Sequence, residues 1–286
     1  MSSRSVAVLG YGTLGKPITH ALGAEGAKVI VLSRDPSKLD LPAGVASAAT
    51  TYDDEATLAK IFKDHNVDII VSTLSEFGET QLVAARAGKA AGTVKLFVPS
   101  EFGTVTNGNK QSVFANKDRI SETISKEIGI PTLRVYNGVF LEFLPYFTGA
   151  TTHPGKVAIL KGGKGQTKMS TTSIGDIAAF LAHVLVALPY SQLENIIVRL
   201  EGQGLTLQDV AKIAGRETVF VDAAELTGGS FIALLQGLTE VGQGRSSYDP
   251  TEPEASLEVI EARAGSGNTL WKEYKFKQVT PEIFNN

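Results

Sequence analysis

Gly10, Gly12 and Gly15 stand two and three residues apart, between the apolar run Ser5–Leu9 and a segment of helical spacing, Leu14–Ala24. In a strand–turn–helix the first such glycine permits a tight turn and the second lets the backbone approach a pyrophosphate. The third lets the helix pack closely on the strand. Free amides at the helix start would then face the anion, so Tyr11, Thr13 and Leu14 join the three glycines as a candidate cradle. A plain βα turn is the other reading of the same residues.

The next chemistry lies past the second apolar run, KVIVL, which leads into Ser33, Arg34, Asp35 and Pro36, with Lys38 nearby. A carboxylate at this place binds the ribose 2′-hydroxyl of NAD, whereas a basic residue accommodates a 2′-phosphate. Arg34 comes first and can grip a phosphate with a bidentate fork. NADPH is therefore the expected cofactor, with Arg34 and Lys38 at its phosphate. The competing reading pairs Arg34 with Asp35 at the surface.

Lys117 lies three residues from both Phe114 and Ile120, on the side of a predicted helix, Asn116–Ile128, whose apolar stripe is Ile120, Ile124 and Ile128. A lysine there either snorkels along the core or is held in a pocket, where desolvation lowers its pKa and suits it to proton transfer. Five of the 21 aromatic residues fall between Tyr136 and Phe147. Tyr136, Phe140, Phe143 and Phe147 have helical spacing and fit a buried helix face. They also fit a segment closing over a nicotinamide, with Asn137 and Phe140 at the ring and Phe143 and Phe147 lining an apolar substrate pocket. His153 is a further acid on the substrate side or an ordinary loop residue.

Elements of α/β type must position these groups. Apolar runs at Ser5–Leu9, Lys28–Leu32, Val67–Val71, Val94–Val98 and Thr132–Tyr136 alternate with helical segments at Leu14–Ala24, Glu55–Asp64, Thr80–Ala91 and Asn116–Ile128. Strands apolar on both faces and separated by helices predict a doubly wound parallel sheet, a Rossmann fold, with ligands at the strands' carboxyl ends. Beyond about residue 145 the alternation loosens. Gly149–Gly165 reads as a loop or hairpin, Ile174–Leu188 as a buried helix, Leu205–Ala214 as another helix and Gly242–Pro253 as a loop. The expected organisation is a nucleotide-binding domain over 1–148, with 170–190 packing back on it, and a smaller substrate-binding part over 149–286.

Composition excludes several classes. With 27 basic and 30 acidic residues the formal charge is −3, which speaks against a phosphate-neutralising nucleic-acid binder. The absence of cysteine removes disulfide scaffolds and thiol nucleophiles, and the four histidines show no metal-ligand spacing, so no metal is expected. No targeting or membrane-spanning pattern is visible. The expectation is a soluble, cytoplasmic protein, a monomer or homodimer whose partner is a small-molecule substrate.

Taken in order, GYGTLG, VLSR, FVPSEFG and GIPTLRVYNGVF resemble the NmrA-like and isoflavone-reductase-like group of atypical short-chain dehydrogenases/reductases, over residues 5 to about 180. The segments Val71-Ser72-Thr73-Leu74 and Ser173-Ile174-Gly175-Asp176-Ile177 share the likeness. The resemblance implies NADPH-dependent reduction of a small, mostly apolar aromatic or enone substrate, with Lys117 as the active-site lysine. It implies cofactor contacts at Ser72, Thr73, Leu74, Ser100, Glu101, Phe102, Lys117, Asn137 and Phe140, and a substrate contact at Phe102. Ser100 and Glu101 have a second reading, capping the loop before the Lys117 helix. Some relatives bind the nucleotide as non-catalytic regulators, which is the alternative function. The glycine turn is one residue shorter than the group's usual GxxGxxG, no Tyr-x-x-x-Lys pair occurs, and Ser121 stands where many relatives carry arginine.

Overall fold

The structure, a computed structural model, describes residues 3–75, 78–110 and 112–285. They divide into two units. The first comprises 1–101, 106–135 and 177–198, and the second 102–105, 136–176 and 199–286. The division falls at Val135–Tyr136 instead of residue 148, and residues 177–198 are part of the first unit.

The first unit holds, in chain order, β1 (Ser5–Leu9), α1 (Gly15–Ala24), β2 (Lys28–Ser33), β3 (Ala46–Ala49), α2 (Glu55–Asp64), β4 (Ile69–Ser72), α3 (Thr80–Ala91), β5 (Leu96–Val98), α4 (Ser112–Glu122) and β6 (Leu133–Tyr136), whose last residue passes into the second unit. The sheet order is β3-β2-β1-β4-β5, all parallel. Val8 of β1 sits between Val31 and Val71. All five residues of β1 are buried, which explains its unbroken apolar run. The order reverses beside β1, so the turns after β1 and β4 flank the place where such sheets bind ligands. A parallel bridge between Phe97 and Thr132 leads on to β6, which pairs with the strand Ile196–Arg199.

Five elements depart from expectation. β3 is not among the expected strands, because Ala-Ser-Ala-Ala has neither bulk nor β-branching, as suits a short edge strand. The helix bearing Lys117 starts four residues earlier, at Ser112, and changes to a π-turn over Thr123–Ile128. Ile120 and Ile124 keep their places in the core across that change, and Ile128 packs against it.

In the second unit the predicted loop or hairpin at Gly149–Gly165 contains a strand, Lys156–Leu160. It pairs in parallel with Glu217–Val221, Lys156 opposite Glu217, a partner far along the chain that no local pattern announces. The predicted helix at Leu205 begins at Leu207 behind a Thr206–Asp209 capping box, and Leu205 ends a strand. The aromatic run 136–147 is not one helix: it passes from strand through a 3₁₀ turn into the four-residue helix Leu144–Phe147.

Candidate active site

The glycine turn has the geometry its residues call for. Gly10 has φ +91°, a conformation that favours glycine, and its amide donates to the Leu32 carbonyl at 3.0 Å. A Cβ on Gly15 would lie 2.3 Å from the Gly10 carbonyl oxygen and 2.7 Å from Thr73 Oγ1, so the helix could not pack here with any side chain. A Cβ on Gly12 would meet nothing within 4 Å. Gly12 and Thr13 are exposed, and Leu14, at the helix N-cap, contributes no side-chain cap. The Lys16 amide donates to the Gly12 carbonyl at 3.0 Å and Pro17 has no N–H, so the amides left for an anion are those of the turn itself, Gly12, Thr13 and Leu14. Tyr11 turns aside from them, its hydroxyl donating to the Asp40 carbonyl at 2.6 Å.

The turn after β4 braces this cradle. Thr73 Oγ1 donates to the Leu9 carbonyl at 2.9 Å, its amide donates to the same oxygen, and Leu74 packs on the core. Ser72 Oγ is buried without a hydrogen-bond partner among the described residues. Ser100 Oγ donates to the Leu74 carbonyl at 2.8 Å, tying the loop after β5 to the loop after β4. At the end of β2, Arg34 is exposed and Asp35 does not engage it: Asp35 pairs with Lys38 at 2.7 Å and accepts from Ser37 at 2.5 Å. These bonds hold the Asp35 carboxyl below its ordinary pKa, first through Lys38 and then Ser37. Lys38 is thus committed to Asp35, leaving Arg34 as the basic group for a phosphate. Open backbone at Gly12, an uncapped helix start and an exposed arginine past β2 fit a dinucleotide with a 2′-phosphate.

Lys117 Nζ donates to the main-chain carbonyl of Glu101 at 2.9 Å, and Phe114 and Ile120, three residues to either side in the helix, are buried. Burial pushes its pKa below the ordinary lysine value, and the negative charge of Glu101 works against that shift. The Glu101 carboxylate itself is not open to a ligand. It accepts from Thr106, Ser121 and Arg134, and its side chain is 1% exposed. Of its two readings the side chain follows the structural one, while its carbonyl serves the lysine. Ser121 binds that carboxylate at 2.8 Å. Sequence reasoning missed Arg134; the signal was a cation inside the otherwise apolar run Leu133–Tyr136, which must be compensated if buried.

The remaining candidates belong to the second unit. Phe102 is buried with φ +27°. Asn137 is fully buried and anchors its neighbours through its backbone, its carbonyl accepting from Thr172 at 2.9 Å. Phe140 and Phe143 are in contact, ring centroids 5.8 Å apart. Phe143 is half-exposed and lines a cavity of about 400 Å³ with Pro145, Tyr146 and Ile283. Phe147, expected beside a substrate, instead packs in the core of that unit with Leu144 and Val157. His153 contacts Thr152 at 3.0 Å.

The model of the NmrA-like family matches residues 2–219. The chain belongs to that family. Isoflavone reductase homolog P3 of Arabidopsis thaliana is 30% identical over 200 residues, 62% of this chain and 63% of the relative. Phenylcoumaran benzylic ether reductase POP1 of Populus trichocarpa is 35% identical over 204 residues, 63% of this chain and 64% of the relative. The match to these NmrA-like relatives spans just under two thirds of their length. The binary complex of leucoanthocyanidin reductase with NADPH from Vitis vinifera shares the fold, with a TM-score of 0.77 at 23% identity, covering 98% of both chains. The resemblance seen in GYGTLG and FVPSEFG, and the doubly wound fold read from the alternation of strands and helices, are borne out.

Proposed function

We propose that this NmrA-like chain is an NADPH-dependent reductase of a small, mostly apolar aromatic or enone substrate. The observation that carries the proposal is Lys117: a lysine with lowered pKa, held at 2.9 Å by a main-chain carbonyl in the same unit as a glycine cradle. The names of the relatives, an isoflavone reductase homolog and a benzylic ether reductase, support the substrate class.

NADPH, when bound, supplies the hydride. The amides of Gly12, Thr13 and Leu14 would hold its pyrophosphate, and Arg34 its 2′-phosphate. Lys117 moves the proton. As an ammonium it gives one to a substrate oxygen that gains negative charge; as an amine it takes one from a phenol. Its lowered pKa brings both forms closer to neutral pH, where such exchange is most effective.

Cytoplasmic location and a monomeric or homodimeric state complete the reading. Among the described residues no helix is long and apolar enough to cross a membrane, and no group of His, Asp or Glu is arranged to hold a metal. The test is NADPH oxidation over a panel of phenolic, quinone and enone substrates, with NADPH binding measured in parallel. Turnover on aromatic members supports the proposal. Tight NADPH binding with no turnover on any member overturns it in favour of a nucleotide sensor.

A further inference from the structure

Lys117 is joined to a buried polar network through the Glu101 carbonyl. Arg134, on β6, is 5% exposed and spans two carboxylates. Its Nε and Nη2 lie 3.1 and 3.0 Å from Glu101 Oε1, and its Nη1 donates to Asp118 Oδ1 at 2.8 Å. Nη2 also donates to Thr106 Oγ1 at 2.9 Å, and Thr106 in turn donates to the second Glu101 oxygen at 2.8 Å. Each of these bonds leads back to the lysine. Glu101 offers Nζ its main-chain carbonyl, Asp118 follows Lys117 in the chain, and Thr106 closes the ring on Glu101.

The backbone that carries this carbonyl is bent away from its ordinary course. The Glu101 amide donates to the Pro99 carbonyl only two residues back, at 2.7 Å, and Phe102 has φ +27°, a conformation that bulky residues rarely adopt. Such a conformation persists only where surrounding contacts over-determine it. On one side of Phe102 the Asn137 and Gly138 amides donate to the Gly103 carbonyl, and on the other the Glu101 side chain is fixed by Arg134, Thr106 and Ser121. A buried ion network is a weak stabiliser beside apolar packing. What it adds here is direction.

We infer that Arg134 is a positioning residue for Lys117, acting through the Glu101 side chain to aim the Glu101 carbonyl at Nζ. This rests on Lys117 as the proton-transfer group. Ser121 is the second support of the same carboxylate. The charges gathered around the pair are Glu101 on the loop after β5, Asp118 and Glu122 on α4, and Arg134 on β6.

The test reads the lysine directly as well as turnover. The rate of Lys117 acetylation is followed by mass spectrometry against pH in the unmodified protein, Arg134→Lys and Ser121→Ala, with exposed Lys63 as internal reference. One ammonium in place of the guanidinium cannot span Glu101, Asp118 and Thr106 together. In Arg134→Lys the midpoint of Lys117 labelling should shift while Lys63 stays put. Its kcat should fall about ten- to a hundredfold, as for a displaced catalytic group, with the KM for NADPH little changed. Ser121→Ala should move the same quantities in the same direction, less far, and decides the matter if Arg134→Lys does not fold. Labelling and kcat unchanged in folded variants, whatever their melting temperature, would overturn the inference. If even the unmodified protein turns over no substrate, the reductase reading fails, while the labelling midpoints still decide whether Arg134 positions Lys117.

Discussion

An ammonium desolvated by burial at Lys117 is a cost that the fold carries at neutral pH. Because the folded pKa of Lys117 lies below that of the unfolded chain, the unfolded state binds more protons between the two values. Stability therefore rises with pH through that window. Lys117→Met removes the penalty and suits the apolar stripe, so the variant should melt at higher temperature near pH 7, with the gap closing as pH approaches the ordinary lysine pKa. Its turnover should nevertheless drop by roughly 10²–10⁴-fold, the share of a general acid–base group. Melting curves across pH and steady-state NADPH oxidation check both halves, and unchanged turnover would remove Lys117 from the mechanism. At the other end of the cofactor, Arg34 carries the choice of nucleotide, since Asp35 is taken by Lys38. NADPH should bind at least about tenfold more tightly than NADH, and Arg34→Ala should erase most of that preference, a loss of about 1.5–3 kcal/mol for charge-assisted bonds. Calorimetric titration with both nucleotides measures it; equal affinities in the unmodified protein would reject the assignment.

At the scale of elements, the glycine turn separates two demands that one motif conceals. Gly15 is needed by the fold, for its Cβ would drive into the Gly10 carbonyl at 2.3 Å and into Thr73 Oγ1 at 2.7 Å. Both are pinned, Thr73 by its bond to Leu9. Gly15→Ala should therefore cost about 1–3 kcal/mol, the usual penalty of overpacking, and pull α1 off β1. Gly12 is not needed by the fold: a methyl there meets nothing within 4 Å. Gly12→Ala should leave the urea midpoint close to that of the parent while NADPH affinity falls, because the methyl occupies the side from which a pyrophosphate approaches. Urea unfolding of the two variants, each paired with an NADPH titration, distinguishes the roles. A large loss of stability in Gly12→Ala, with affinity retained, would contradict this division.

For the whole molecule, the first unit is assembled from separated stretches of chain. Residues 177–198 complete it: Ile177, Phe180, Leu181, Val184 and Leu185 are buried, and Ile196–Arg199 pairs with β6. Arg4 reaches the same stretch, donating to the Leu185 and Leu188 carbonyls at 3.1 and 2.7 Å and lying 3.8 Å over the Tyr190 ring. A fragment ending at residue 148 would keep the glycine turn, Arg34 and Lys117 but lose that helix and strand. It should show broad, non-cooperative urea unfolding and expose apolar surface to a fluorescent dye, whereas the full chain gives a sharp transition. A cooperative transition from the fragment would show that the first 148 residues suffice.

What the sequence by itself determined was whatever rests on local pattern. Strands buried on both faces write themselves as apolar runs, so β1 and β2 and the parallel doubly wound order could be read directly. The glycine turn was legible because each glycine answers a local steric demand, and α2 and α3 because their spacing and ends are local too. The same reading erred wherever the partner lies far along the chain. Lys156–Leu160, an apolar run set among glycines and lysines, became a strand by pairing with Glu217–Val221, and Ala46–Ala49, unmarked by its own residues, by joining an edge. The aromatic spacing from Tyr136 to Phe147 mimicked a helix, yet the chain changes element three times within it and sends Phe147 into a core. At the site, sequence placed Lys117 on an apolar side but left open whether it snorkels or is held. The tertiary structure decided that, because a desolvated ammonium is fixed by whichever acceptor the fold brings to it. That acceptor is the Glu101 carbonyl, held by a carboxylate whose cation, Arg134, comes from a different strand.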